Sequence, residues 1–286
     1  MEYILPDKKL LEKRSDEIKG IKEYYNLSKL VYHKDFRDKL VFPIGISEEN
    51  EKYYIDFNLK SGMLVSGETG SGKSIFLNSV IISLLLKNTP DDLQFIFIDP
   101  RDVEFKAYEG IPHLYGSVYS DKNESFKVLK QVMKIMEERQ KLFIKNKVTD
   151  IESYNENNEN KLPQILLVID EILDILDAEM VKKFVDKILI EGYKYGIHLI
   201  LATSSYFKTY FEQETTDMFN YILTFDLASK EQANFIRIKY SDLLSLHGDA
   251  LVRKQSNILD IQTPYVSDKD IEEITNFWSN QKNTNN

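Results

Sequence analysis

The chain has 286 residues, no cysteine, four histidines and a formal net charge of −9. Without cysteine, thiol catalysis and cysteine-ligated zinc are excluded, and the acidic balance argues against a simple basic module that coats DNA, while leaving room for a motor that grips DNA with a few pore residues. The longest apolar runs, such as Val80 to Leu86, fall short of the ~20 residues that span a bilayer, and Asp7, Glu12, Asp16 and Glu17 stand where a signal peptide would be apolar, so a soluble, cytoplasmic protein is expected.

Residues 1–38 place Leu10, Leu11, Ile18, Ile21, Tyr25 and Leu27 among charges, the pattern of a short amphipathic helical arm. From Lys39 to Asp56 the pattern becomes strand-like: Leu40, Val41 and Phe42, a polar turn, then Tyr53, Tyr54 and Ile55. This pair leads into an apolar strand ending at Ser66. There follows Gly67-Glu68-Thr69-Gly70-Ser71-Gly72-Lys73-Ser74, which satisfies G-x-x-x-x-G-K-[ST] between a strand and an apolar helix beginning Ile75-Phe76-Leu77. Backbone N–H groups must converge on phosphate oxygens in such a loop, and glycines permit the turns that this requires. The next helix points its positive end at the anion. All eight residues, with Ile75, are therefore nucleotide-binding candidates; Lys73 would reach the β/γ-phosphates and the Ser74 hydroxyl would hold Mg²⁺.

That helix is expected to stop at Asn88-Thr89-Pro90. A short buried strand, Gln94 to Ile98, then ends in Asp99-Pro100-Arg101, and a long helix begins near Asp121 with Glu124 three residues on. The Asn- and Glu-rich stretch from Asp150 to Lys161 reads as an exposed loop. Strands at Ile165–Ile169, Ile197–Thr203 and Tyr221–Phe225, with a helix over about 178–195 closed by Gly196, complete an alternation of strands and helices. Alternation of this kind predicts an α/β domain with a doubly wound, mainly parallel sheet over 39–278; residues 279–286 are polar and expected to be a disordered tail.

Hydrolysis of a nucleoside triphosphate needs a carboxylate for Mg²⁺ and a group that orients the attacking water. The strand Ile165-Leu166-Leu167-Val168-Ile169 ends in Asp170 for the metal and Glu171 for the water. Thr203 and Ser204 close the strand expected to lie alongside, where a polar residue can sense the γ-phosphate. Arg101, Arg237 and Arg253 are candidates for an arginine supplied in trans.

Several of these motifs together resemble the FtsK/SpoIIIE DNA translocases of the HerA–FtsK branch of P-loop NTPases. They are the loop itself, Ile98-Asp99-Pro100-Arg101 with Val103-Glu104-Phe105, Tyr108 to Leu114, Val168-Ile169-Asp170-Glu171, Gly196 to Thr203, Gly248-Asp249-Ala250-Leu251, and Tyr265 to Ile271. The resemblance covers about residues 40 to 278. It implies a RecA-like ATPase core, ATP and Mg²⁺ as cofactors, and assembly of copies into a ring, usually hexameric, around double-stranded DNA. It carries Gly67, Gly70, Gly72, Lys73 and Ser74 over as nucleotide ligands, and Asp170 and Glu171 as metal and catalytic carboxylates; Lys73, Glu171 and Thr203 form the catalytic set. A membrane-bound partner is compatible with this family. Two other uses of such a chain stay open: an ATP-binding assembly or regulatory protein with weak hydrolysis, and a protein-secretion ATPase.

The chain also departs from the family pattern. Ala202-Thr203-Ser204-Ser205-Tyr206 stands where Ala-Thr-Gln-Arg-Pro is typical, Tyr193 replaces a usual arginine, and Ser229-Lys230 lacks the arginine that commonly follows. The stretch expected at the pore holds Lys208 beside Glu212, Glu214 and Asp217. These losses leave phosphate binding intact and bear on sensing, trans-activation and DNA grip. The short flanks lead to the expectation of a minimal motor core, without a membrane anchor or a C-terminal winged-helix module, of the kind encoded by mobile elements.

Overall fold

A computed structural model describes residues 5, 27–31, 40–58, 62–171, 178–204, 211–227, 230–238, 244 and 248–284. Most of the expected N-terminal arm lies outside these residues. Its described end is one helical turn, α1 (Ser28–Val31), with Leu27, Leu30 and Val31 buried.

Strands β1 (Val41–Ile46) and β2 (Lys52–Asp56) pair antiparallel, as the two apolar runs and the intervening polar turn require. The phosphate-loop strand β3 (Gly62–Ser66) is followed by helix α2 (Lys73–Leu85), then β4 (Leu93–Ile98) and helix α3 (Lys122–Asn146). Asp121 caps α3 as expected: its carboxylate accepts the Asn123 and Glu124 N–H groups at 2.8 and 3.1 Å. Next come α4 (Ile151–Asn157), β5 (Gln164–Asp170), α5 (Ala178–Glu191) and β6 (Ile197–Thr203). A 3₁₀ turn over Gly192–Tyr195 tightens the end of α5, and Gly196 closes it at φ +67°. The chain finishes with α6 (Gln213–Met218), β7 (Tyr221–Thr224), α7 (Lys230–Phe235), β8 (Asp249–Lys254), β9 (Asn257–Gln262) and α8 (Asp268–Thr284).

The strands form one sheet in the order β2-β1-β9-β8-β7-β3-β6-β5-β4. Strands β7, β3, β6, β5 and β4 are parallel, and β8, β9, β1 and β2 extend them antiparallel at one edge. The expected doubly wound sheet is present, with apolar layers on both faces. Phe95 and Phe97 of β4 face a layer containing α2 and α8, whereas Ile96 and Ile98 face one containing α3, α4 and α5. Helix α2 has Phe76, Leu77, Val80, Ile81, Leu84 and Leu85 all buried; a helix apolar nearly all round belongs inside.

Two readings are corrected. The stretch after Asp150 is not wholly a loop: Asp150 caps α4 by accepting the Ser153 N–H at 2.8 Å, and α4 buries Ile151 and Tyr154 against Phe143. Its two apolar residues, three apart, are masked in the sequence by the surrounding Asn and Glu. Residues 279–284, expected to be disordered, continue α8, because Ile271, Ile274 and Trp278 anchor it on the α2 layer. The β1–β2 pair, which precedes β3 in the chain as expected, joins β9 at the edge of the sheet.

Candidate functional site

The strand order inserts β6 between β3 and β5, which aligns three strand ends. Ser66 is opposite Thr203, and Asp170 is opposite Ala202. Ligands in open α/β sheets bind outside the carboxyl ends of the strands, and the loop 67–74 leaves β3 at that edge.

Gly67 is in the left-handed region at φ +151°, and a Cβ there would lie 2.7 Å from Ser71 Oγ and 2.8 Å from Phe225 Cβ. Gly72, at φ +118°, rests against Gly248, whose nitrogen would sit 3.4 Å from an added Cβ. These two glycines are therefore needed by both conformation and packing. The Glu68 N–H donates to the Asp226 carbonyl at 2.8 Å, tying the loop to the end of β7. Lys73 is folded back across its own loop, donating to the carbonyls of Gly67 and Glu68 at 2.7 and 2.8 Å. Burial lowers its pKa, against the pull of Asp170 and Glu171.

A cavity of about 270 Å³ lies over the loop, with Thr69, Lys73, Ser74, Arg101, Glu104 and Asp170 in its wall. Asp170 is buried, and desolvation, with the negative charge of Glu104 next in weight, pushes its pKa up to about 6. Its neighbour behaves in the opposite way. Burial alone would raise Glu171, but hydrogen bonds from Ser204 and Thr203 and the charge of Arg101 outweigh it and hold the carboxyl below its usual range. The Thr203 hydroxyl donates to Glu171 Oε1 at 2.8 Å. The Ser204 N–H donates to Oε2 at 2.8 Å, the Ser204 hydroxyl bonds the same oxygen, and Arg101 Nη2 reaches it at 2.9 Å. Glu171 sits at φ +59°, an uncommon region for a residue with a Cβ, and its N–H is held by the Ala202 carbonyl at 3.0 Å.

The site thus brings together the loop, Asp170, Glu171 and Thr203, with Thr203 turned to Glu171 rather than into the cavity wall. It adds Glu104, which was not among the expected site residues, and puts Arg101, expected as a candidate arginine supplied in trans, in the wall of its own chain's cavity and against Glu171. Their placement comes from Asp99, which is fully buried and accepts the N–H groups of Arg101, Val103 and Glu104 at 3.1, 2.8 and 2.7 Å. The Asp-Pro-Arg run at the end of a buried strand is the sequence signal for this turn. Arg237 and Arg253 lie elsewhere and face Asp217 at 2.9 and 3.8 Å. Ser205, Tyr206 and Lys208 fall outside the described residues, whereas Glu212 and Glu214 are exposed. No described helix is long and apolar enough to cross a membrane.

A strand, a glycine-turned loop and a buried lysine that opens a helix, facing an acidic strand end across an inserted strand, define a P-loop NTPase fold. The FtsK/SpoIIIE family profile matches residues 27–213, and the chain belongs to that family. It is 30% identical over 258 residues to a DNA translocase FtsK of Caldanaerobacter subterraneus, covering 85% of this chain and 35% of that one. The chain therefore spans about a third of that relative's length. Among solved structures, it resembles the monomer form of the pCW3 conjugation coupling protein TcpA with ATPγS (TM-score 0.75, 20% identity, 92% of this chain and 75% of that one). It also resembles the cytoplasmic domain of the type VII secretion ATPase EccC of Thermomonospora curvata (TM-score 0.73, 18% identity, 96% and 35%). These likenesses support the fold.

Proposed function

We propose that the chain is a Mg²⁺-dependent ATPase motor that moves double-stranded DNA, working as a ring of copies. The observation that carries this reading is the convergence of Lys73, Ser74 and Asp170 on one cavity, with Glu171 held at its edge. In this reading, the loop N–H groups and the α2 N-terminus cradle the phosphates. Lys73 exchanges the Gly67 and Glu68 carbonyls for β/γ-phosphate oxygens.

The Ser74 hydroxyl and the Asp170 carboxylate are hard oxygen donors in the same wall, which fits Mg²⁺. Among the described residues no group of three or more His, Cys, Asp or Glu could hold a metal alone; an ion that shares its ligands with substrate phosphates needs no such group. Bound there, Mg²⁺ would neutralise charge on the β- and γ-phosphates. Glu171, ionised at neutral pH, orients the attacking water and accepts its proton. Thr203 and Ser204 fix that carboxylate, and Arg101 is placed to meet the terminal phosphate from the same chain.

ATP turnover measured with and without duplex DNA tests this reading, with Glu171→Gln as background. DNA-stimulated turnover well above that background is expected. Turnover no higher than the Glu171→Gln level, with ATP still bound, would favour a second reading: an ATP-binding assembly protein that hydrolyses weakly. The occupation of both Glu171 oxygens by Thr203, Ser204 and Arg101 is the observation behind that alternative.

A further inference from the structure

At the edge of the sheet away from the phosphate loop, where β7 begins and β8 ends, lies a cavity of about 450 Å³. Asp56, Asp217, Arg253, Lys254 and Gln255 are in its wall. Arg253 stands opposite Ile222 in the β7–β8 ladder, and its side chain is only 11% exposed. Its guanidinium is poorly matched. Nη1 is 3.8 Å from Asp217, and Nε and Nη2 are buried with no hydrogen-bond partner among the described residues. Asp217 is already engaged, because Arg237 Nη2 meets it at 2.9 Å and the Gln213 amide donates to it at 3.3 Å. Burial pulls the Arg253 pKa down, the charge of Asp217 pushes it up, and repulsion from Arg237 adds to the fall.

Buried polar groups are nearly always paired, and a buried cation without its full counter-charge is costly. The two open atoms of Arg253 make a matched pair. Nε–H and Nη2–H leave the same side of the guanidinium plane and point the same way, forming the fork that takes both oxygens of one carboxylate or phosphate. The neighbouring charge chooses between these. Arg237, Arg253 and Lys254 are cations and Asp56 and Asp217 anions, so a single negative charge balances the group. A dianion would meet repulsion from both acids.

We propose that this cavity binds a small monocarboxylate, held side-on by Nε and Nη2 of Arg253. The cavity is larger than the phosphate cavity of about 270 Å³, which leaves room for a body besides the carboxylate. Because the fork has almost no exposed surface, the ligand reaches it as the exposed rim side chains, Lys254 and Gln255, move aside. This site is separate from the phosphate loop, and its occupation does not depend on the ATP-binding reading.

The test follows the Nε–H resonances of the six arginines of the full chain, labelled with nitrogen-15, as sodium acetate or sodium phosphate replaces sodium chloride at constant ionic strength and neutral pH. The Arg253 resonance is expected to shift and saturate with acetate, at concentrations on the order of ten-fold below any response of the exposed Arg237, because the fork adds a second charge-assisted bond. Acetate should also raise the melting temperature of the wild-type chain above its value in chloride. Arg253→Lys, which keeps the charge and loses the fork, should lose that gain. The resonances are assigned through their own backbone connectivities, so the wild-type titration decides even where the variant fails to fold. An Arg253 resonance that does not saturate, or that moves in step with Arg237, overturns the proposal. Saturation by phosphate at lower concentration than by acetate overturns the assignment to a monocarboxylate.

Discussion

The two halves of the sheet are built from different strands and do different work. In the parallel half, β3, β5 and β6 are buried along almost their whole length, and their carboxyl ends deliver the loop, Asp170, Glu171 and Thr203 to one edge. In the antiparallel half, β1 is buried throughout but β9 is mostly exposed or half-buried, and Ile258 is 46% exposed. Among the described residues, that half lines a cavity beside the loop with Gly248 and residues 262–265. The candidate site residues are thus concentrated at the ends of strands covered on both faces. The extension, open chiefly along β9, shapes the neighbouring surface.

If this division holds, substitutions in the parallel half should dominate. The largest loss is expected for Lys73→Ala: hydrogen bonds to charged groups contribute ~1.5–3 kcal/mol each, so affinity for a labelled ATP analogue should fall on the order of 100-fold. Unchanged affinity would break the assignment of the loop. Glu171→Gln should bind ATP normally yet lose on the order of 10²–10⁴ in turnover, the usual range for a proton acceptor; a binding loss of similar size would place Glu171 in the cradle instead.

Ser204→Ala removes the hydroxyl donor, and keeps the backbone N–H donor, of the pair with which Ser204 helps hold Glu171 below its usual range. The acidic limb of the kcat–pH profile should therefore move to higher pH, with kcat at neutral pH changing only several-fold. An unmoved limb would show that the Ser204 contact is incidental.

Two buried histidines lie at the parallel strands, His198 within β6 and His113 beside β4, with burial pulling His113 down to about 4 and His198 to about 3. Both stay neutral in the folded chain while the unfolded chain takes up protons below about 6.5. Their contribution is complete above that pH and is lost as pH falls towards the folded values. Melting temperature should drop steeply from pH 6.5 to 4.5, and less steeply in His198→Gln. Ile258→Lys, on the exposed strand, should change stability by no more than about 0.5 kcal/mol in denaturant titration; a large effect would mean that the extension is more than a covering surface.

The same division explains what could be read in advance. The loop and the Asp170-Glu171 strand end were legible because glycine spacing and unbroken apolar runs are local signals. The β8–β9 hairpin was not: β9 is Asn-Ile-Leu-Asp-Ile-Gln, and Gln255-Ser256 is a weak turn signal, although Gln255 adopts φ +58°. Arg101 joins Glu171 across seventy residues of sequence, a pairing set by strand order. The left-handed backbone at Glu171 likewise follows from its neighbours, not from its own residue type.

Trp278 is the chain's single tryptophan. Its indole is fully buried, donates to the Leu85 carbonyl at 3.2 Å and meets His113 edge-to-face at 4.3 Å. Leu85 ends the helix whose first residue is Lys73. The protein therefore carries its own optical gauge, seated at the opposite end of that helix from the phosphate loop. A tilt or axial slide of that helix when the loop fills would change the emission without any added label, and the rate of that change would time the filling of the loop.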